Sequence, residues 1–585
     1  MISFEDYFSD DRILHYVCRC RAKVAKRRNR QQLIYNVSGN AAFLQQDRGE
    51  EDDRLLQSIL PPRRKWKKLD AKARTKPTGQ PLNSLDKTVR ILKHTIMWYR
   101  RKDKTAPFLE ELSRFCDNVR TFVTGPNPVL PPPRIVPSLK KRGGKQCRPI
   151  AEYPIAAKIA ICLTNRYLSE RFDEHFEQCS FAFRMPETDG GFAHRPTHHD
   201  AFARIAEIRR RRRKCDFWVA ECDIQKFFDT VNHSVLKKAF NGLVAKVNRA
   251  TPEQPVSEAA VRVFMAYLES YSFNKNVWPL NNPKTNYFSD RRMSGCYFAW
   301  VEDELRRCGA YSSFKNAKIG IPQGGALSGL IANILLDRVD KALTKRFDGD
   351  LTYVRYCDDM IIMHPRKRKC GEYMEAYETE LMKLKLLPHP AKEVRVYNRE
   401  FWEAKSKQPY KWGPRGSVPW VGFVGYEVNA GGDVRVRKSS LAKEMQKQYD
   451  TVQEVVRAIK GQPRASHKTI QESVTNRLIQ MSVGRVRLHN FQTVENELCW
   501  VNGFERLTDN KYSRIQMKRL DACRNRLLWR LRKHLMGVEG AEPAAKSETR
   551  QIVKYRKPFS YYYHAIEKPR EAPGDPDGGS TQRSR

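Results

Sequence analysis

The sequence predicts an α+β fold: a sheet-bearing middle with helical extensions on both sides. Three observations predict it. Residues 1–123 carry helical periodicity among many Lys and Arg. Strand-like and helix-like runs alternate between 139 and 437. From 438 the strand signal stops, and only helical patterns follow to about 540.

A chain of 585 residues is too long for one compact core. Its 40% apolar content supports globular cores. The 108 Lys and Arg against 66 Asp and Glu leave a net charge of +42. Such an excess repels itself unless a polyanion offsets it. Nucleic acid is the first candidate partner, and a membrane surface the second. No run approaches the ~20 apolar residues of a spanning helix, so no membrane partner is expected. The start, "MISFEDYFSDD", is acidic and has no apolar signal core, which points to a cytoplasmic protein. The fourteen cysteines are scattered without a CxxC pair. That disfavours zinc ribbons and zinc-dependent nuclease modules, and the thiols read as reduced core residues.

The elements follow in order. "LDKTVRILKHTIMWYRR" places Val89, Leu92, Ile96 and Met97 at helical spacing. "TGPNPVLPPPRIVPS", 124–138, reads as an extended linker, because its prolines cannot continue a helix. "FWVAECDI", 217–224, is a buried strand, and "LSGLIANILLDRVDKAL", 327–343, a helix. "LTYVRY" and "MIIM" are short strands, followed by the amphipathic "YMEAYETELMKLKLL". "WVGFVGYEV" and "DVRVR" form a hairpin around "NAGG", whose glycines permit positive φ. "SSLAKEMQKQYDTVQEVVRAIKG" opens on two serines suited to N-capping and closes on Gly461. "SRIQMKRLDACRNRLLWRLRKHL" sets Leu520, Leu527, Leu528 and Leu531 against a face of arginines. We read it as a nucleic-acid-contacting helix packed on a core rather than a membrane-surface helix. The tail, 541–585, is basic, and its Pro-, Gly-, Ser- and Arg-rich end reads as disordered.

Chemistry concentrates in three segments. In "YVRYCDDMIIM" the adjacent Asp358 and Asp359 sit between two strands. Carboxylates that close repel each other, and a divalent cation relieves the repulsion. Mg²⁺ prefers a few carboxylates together with phosphate oxygens and water. An acidic pair in a turn is more often simply solvated. In "VAECDIQKFFDTVNH" a third acid, Asp223, ends an apolar strand. Side-by-side strands would bring it to the pair, and three carboxylates could then clamp two metals. In "IGIPQGGALSGLIANILLD" the glycines allow close backbone approach to a ligand, and Gln323 offers a donor and an acceptor. A Gly-rich turn before a helix is, by itself, a plain loop.

Together and in this order, these segments resemble the reverse transcriptases. Tyr356-Cys357-Asp358-Asp359 matches the Y-x-D-D hairpin, and Asp223 through His233 the "DIxxFFDxxxH" motif of group II intron and related bacterial enzymes. Pro322 through Ser328 matches "PQGG-x-LS". "GGKQCRPIAEYPIAAKIAI" and "SFAFR" look like fingers motifs, and "GFVGYEV" with "VRVRKSS" like the primer grip leading into the thumb. The resemblance implies a right-hand polymerase: fingers and palm with an RRM-like antiparallel sheet over 139–437, and a helical thumb over 438–540. It implies RNA-directed DNA synthesis with two Mg²⁺, or Mn²⁺ in their place. Asp223, Ile224, Asp358 and Asp359 would hold the metals. Arg148, with Lys141 or Lys145, would hold the triphosphate. Phe228 would be the steric gate against ribose. Gln323 and Gly324 would contact the nucleotide, Gly425 and Tyr426 the primer. Lys392 would protonate the leaving pyrophosphate. Gly329 stands where proline is usual, and Cys357 where alanine, valine or methionine is.

No maturase signature and no HNH-type cluster is evident, so the chain looks most like the stand-alone enzymes of bacterial antiviral defence. The expected partners are an RNA template, including a structured non-coding RNA, a DNA or protein primer, and dNTPs. Oligomerisation is left open. The alternatives are a group II intron or retron-type enzyme, template-independent or protein-primed synthesis using Tyr561, Tyr562 or Tyr563, and a catalytically weak RNA-binding relative.

Overall fold

The computed structural model describes residues 2–38, 50–70, 72–75, 82, 84–141, 143–189, 192–289, 293–311, 313–314, 316–346, 349–391, 397, 399–416, 418–459, 465–483, 500–539 and 557–565. Two compact units divide the chain. One is Met1–Gln32 with Ala41–Arg437, and the other is Leu33–Asn40 with Lys438–Arg585.

Twelve strands are described, all in the first unit: β1 Arg134–Leu139, β2 Gln146–Glu152, β3 Glu187–Asp189, β4 Phe192–His194, β5 Phe217–Cys222, β6 Tyr297–Phe298, β7 Thr352–Tyr356, β8 Asp359–His364, β9 Lys407–Trp412, β10 Trp420–Phe423, β11 Tyr426–Asn429 and β12 Val434–Val436. The central sheet has the order β7-β8-β5-β9, and every neighbouring pair is antiparallel. Met360 to Met363 are buried in β8, as are Phe217, Val219, Ala220 and Cys222 in β5. Such near-continuous apolar runs suit strands covered on both faces. The helices Ser328–Thr344 and Lys367–Lys383 pack on this core through Leu330, Ile331, Leu335, Tyr373, Met374, Tyr377 and Leu381. β1 and β2 pair antiparallel beside a short parallel β6, and β10, β11 and β12 form a meander.

An ion pair inside this core sets local geometry. Arg355, in β7, and Asp340, in the Ser328–Thr344 helix, are both 0% exposed. The guanidinium donates to both carboxylate oxygens, through Nε at 2.8 and 3.1 Å and Nη2 at 2.5 Å. Tyr353 donates to the same carboxylate at 2.7 Å. Arg355 Nη1 also reaches the Cys357 carbonyl at 3.0 Å and Asn333 Oδ1 at 3.3 Å.

Several sequence expectations need correction. The stretch 124–138 does not stay a free linker: its last residues form β1 and pair with β2. In the helix Ser84–Lys102, Val89, Leu92 and Ile96 are buried but Met97 is 41% exposed, and Tyr99 takes the inward place. "WVGFVGYEV" is not one strand. It folds back between β10 and β11 at Val424 (φ +38°) and Gly425 (φ +95°). Positive φ at both central residues is what a tight type I′ hairpin requires. Ser439 and Ser440 lie inside the first turn of the helix Lys438–Ala458 rather than at its cap. Gly461 lies outside the described residues, as do 541–556 and 566–585.

The second unit is helical: Lys438–Ala458, His467–Val483, Trp500–Phe504, Lys511–Glu539 and Pro558–Ala565. Its core joins Val452, Val455, Ile470, Val474, Leu478, Leu527 and Leu531 to Ile34 and Val37 from the end of the helix Asp10–Ser38. Leu520 is buried, and Leu528 packs at the margin of the core. Asp521 is buried as well, and accepts the backbone N–H groups of Phe559 and Ser560 at 3.0 and 2.9 Å. It thereby caps the helix Pro558–Ala565. Tyr563 in that helix is buried, its hydroxyl donating to the Thr508 carbonyl at 2.9 Å. No described helix is long and apolar enough to cross a membrane.

Breaking the buried ion pair from one side should leave an uncompensated charge. Arg355→Met alone is expected to cost about 3–5 kcal/mol. Arg355→Met with Asp340→Leu should cost clearly less than the two single changes added together. Urea unfolding of the three variants checks this, and strict additivity would show that the side chains act independently.

Candidate active site

Strand register brings the acids together. Cys222, the last residue of β5, pairs with Met360, and Asp359 pairs with Tyr356 across the β7–β8 turn. Asp223 therefore leaves the sheet at the end where the Asp358–Asp359 turn begins. The turn itself is strained. Cys357 has φ +60°, a conformation that favours glycine at the first central residue of a two-residue hairpin. The carboxylates feel one another. Burial, and then the charge of Asp223, raise the pKa of Asp358. Asp359 keeps an exposed edge, yet desolvation by the surrounding protein, then Asp358 and Asp223, push it up to about 7, while Arg437 pulls it down.

Asp223 is clamped from two loops. Its N–H donates to Ser406 Oγ at 3.1 Å, and its carbonyl accepts from the His389 N–H at 2.8 Å. Lys405 forms an ion pair with its carboxylate, and His389 Nε2 stands 3.8 Å away. Burial, then Lys405, lower the His389 pKa against the pull of Asp223, which favours the neutral ring. Neither Lys405 nor His389 was singled out in the sequence. Lys392 lies outside the described residues.

The residues expected to hold the triphosphate are placed as follows. Arg148 is exposed on β2, and its charge acts on Lys140, Lys226 and Asp229. Beside them, Lys140 feels the charges of Asp223 and Asp229. Lys141 is exposed, and the Lys145 side chain runs along Gly295.

Gln323 is fixed at both ends. Its carbonyl accepts from the Ala151 N–H at 3.0 Å, tying the loop to β2. Its side-chain amide donates to Asp229 Oδ1 at 2.7 Å. Asp229 is 1% exposed, with Lys226 Nζ 3.9 Å from its other oxygen. Burial raises its pKa to about 6 against the pull of Lys226 and Gln323. Sequence reasoning passed over Asp229, although it sits inside the quoted "FFD". Gly324 is exposed, with φ +87°. Gly320, at φ +92°, has no room for a Cβ, which would lie 2.7 Å from Phe273 and 2.9 Å from the Asp229 carbonyl. His233 is a tie rather than a free base: Nε2 meets the Gly320 carbonyl at 2.7 Å, and burial lowers its pKa to about 4.

The remaining expected residues are placed as follows. Phe227 is buried and Phe228 half-buried, their rings edge to face at 5.2 Å. The Ile224 side chain is buried and carries no ligand atom, so only its backbone carbonyl could face a cation. Gly425 forms the β10–β11 turn. Tyr426 is not an open ring: it is buried, stacked on Phe202 at 4.9 Å, with its hydroxyl on His199. It anchors the hairpin from behind.

Among the described residues no group of three or more His, Cys, Asp or Glu forms a ready cage for a metal. The donor set still fits a divalent cation chemically. It consists of three hard carboxylates at one sheet end, two of them with pKa values raised by desolvation and then by the neighbouring acids.

Residues 282–427 match the family model described as reverse transcriptase (RNA-dependent DNA polymerase). The chain carries a reverse transcriptase domain. It is therefore an RNA-directed DNA polymerase. The match to the reverse transcriptase model holds Gln323, Asp358, Asp359, Gly425 and Tyr426, while Arg148, Asp223 and Phe228 precede it. Apo telomerase from Candida tropicalis is similar at 12% identity and a TM-score of 0.34, over 91% of this chain and 94% of that one. Telomerase from Candida albicans in complex with the TWJ fragment of telomeric RNA is similar at 10% identity and a TM-score of 0.30, over 83% and 74%. No curated protein matches the sequence.

Asp229 gives the first unit a pH signature. Its folded pKa of about 6 lies above its ordinary value of 3.8. Between these values the folded chain holds a proton that the unfolded chain has released. Stability therefore falls as pH rises through that window, and levels off above it. Asp229→Asn keeps an acceptor for Gln323 and removes this titration. Urea unfolding at pH 4.5 and 7.5 should show the variant losing less stability than wild type, by about 2 kcal/mol, since pH 4.5 already lies above the unfolded value. Equal losses would mean that Asp229 titrates normally.

Proposed function

We propose that the chain copies RNA into DNA at Asp223, Asp358 and Asp359, with two Mg²⁺ as cofactors. One observation carries the reading: the β5–β8 register gathers the acids at one end of the sheet, where Asp358 and Asp359 have raised pKa values. When bound there, the cations would activate the primer hydroxyl and neutralise charge on the phosphates. The chain's own groups do the rest. Arg148, with Lys140, grips the triphosphate, for which the guanidinium fork is suited. Gln323, held by Asp229, positions the nucleotide. Phe228 presents its ring to the sugar. The hairpin at Gly425 guides the primer, and the 438–540 helices serve as thumb. Lys392, by family resemblance, supplies the proton for pyrophosphate. The setting we propose is bacterial antiviral defence with a dedicated non-coding RNA. The likeness to stand-alone enzymes of that kind supports it, and sequencing the RNA that copurifies with the protein tests it.

Asp358→Asn removes a ligand charge and keeps the side chain's shape. Extension of a DNA primer on an RNA template should fall by about three orders of magnitude or more, since electrostatic stabilisation carries most of phosphoryl transfer. The thermal melt should not drop, because repulsion among the carboxylates is relieved. Near wild-type extension with Mg²⁺ would remove Asp358 from the metal set.

Phe228→Ala tests the sugar gate. kcat/KM for dGTP and GTP should converge, mainly through faster GTP use, because a clash acts on the disfavoured substrate. An unchanged ratio with a lowered melt would leave Phe228 as packing, for which truncation costs ~3–5 kcal/mol.

A further inference from the structure

Phe183 is held in a conformation that a bulky side chain avoids. Its φ is +58°, in the left-handed region. Its ring is also 52% exposed, so the strain does not serve to bury it. The frame around it is rigid. On one side the Ala182 carbonyl accepts from Asn333 Nδ2 at 2.8 Å. On the other, the Arg184 guanidinium donates to Asp173 Oδ1 and to the carbonyls of Glu177 and Ser180, each at 3.0 Å. Both neighbours are locked, and the ring between them is pushed outward.

The ring rests on Gly329, where a Cβ would come within 2.5 Å of it. Gly329 lies in the first turn of the Ser328–Thr344 helix, just past the loop that carries Gln323. This glycine, where proline is usual in the resembling enzymes, makes the space the ring occupies. Strain, exposure and bracing at one residue beside the candidate active site point to a partner outside the fold. The partner of an exposed, flat π face in a nucleic-acid polymerase is a base.

We propose that Phe183 is a stacking platform for a nucleobase of the bound RNA–DNA hybrid. This rests on the reading of the site as one that holds a template and primer. Any base has a π face, so the contact is indifferent to sequence and fixes the position of the strand.

Glycine accepts φ +58° without strain. Phe183→Gly should therefore melt at or above the wild-type temperature, yet bind a fluorescein-labelled RNA-template/DNA-primer hybrid about 5- to 100-fold more weakly. Phe183→Trp should bind at least as well as wild type, and Phe183→Leu should resemble the glycine variant. The measurement is fluorescence anisotropy without nucleotide, beside a thermal melt. Single abasic sites walked along the template and then the primer should weaken wild type, and not Phe183→Gly, at one position. The strand carrying that position identifies the base. A lowered melt with unchanged hybrid affinity would make Phe183 a packing residue and overturn the proposal. Failure of the wild type to bind the hybrid would overturn it together with the reading of the site, and only that result touches the latter.

Discussion

The candidate site depends on a charge pair that never meets the substrate. Asp223, Asp358 and Asp359 repel one another, and a turn carrying two of them has no tendency of its own to stay beside the third. Arg355 supplies the constraint. From inside the core it holds Asp340 and Asn333 of the Ser328–Thr344 helix and the carbonyl of Cys357 at the acidic turn. The backbone of Arg355 also takes the Cys179 carbonyl and gives its own carbonyl to Phe181. One residue thus ties together the helix after the glutamine loop, the edge of the sheet and the segment that leads to Phe183. A buried pair of this sort adds little net stability over an apolar replacement. What it adds is direction, because a bidentate fork fits one arrangement.

Strain gathers around the same place. Phe183, Lys226, Cys357 and Val424 all have positive φ without being glycine. Each sits in or next to a segment discussed above: the ring on Gly329, the stretch between Asp223 and Asp229, the acidic turn and the hairpin after β10. Lys385, also at positive φ, precedes the Leu387 carbonyl that accepts from Gln225. Backbone conformations of this kind persist only where surrounding contacts over-determine them.

The sequence made the central elements legible because apolar runs such as "MIIM" and "FWVAEC" have few other uses, and because the acids fall at strand ends. It misread places where one dihedral decides the outcome. Nothing in "WVGFVGYEV" announces that Val424 will take φ +38°, and alternation alone reads it as one strand. Prolines at 131–133 read as linker because they cannot be helical, yet an extended chain can equally begin a strand, as β1 does. Partners made through space were the least legible. Lys405 is 182 residues from Asp223, and Lys140 is one place from the lysine that motif matching selects. Asp229 was hidden for another reason: beside a carboxylate that fits a metal, a second carboxylate reads as surface, whereas the fold buries it against Gln323.

The helix Asp10–Ser38 begins in the first unit, and its last residues belong to the second. Ile34 and Val37 are core residues there, alongside Val452, Ile470 and Leu531. A ribosome delivers these two side chains some four hundred residues before the helices that cover them. During that interval a newly made chain carries an uncovered apolar stripe. Closing the loop between these two segments is a late, entropically slow event. The second unit is therefore finished only after its last core helix has been made, and a chain that stops at 437 keeps the stripe bare.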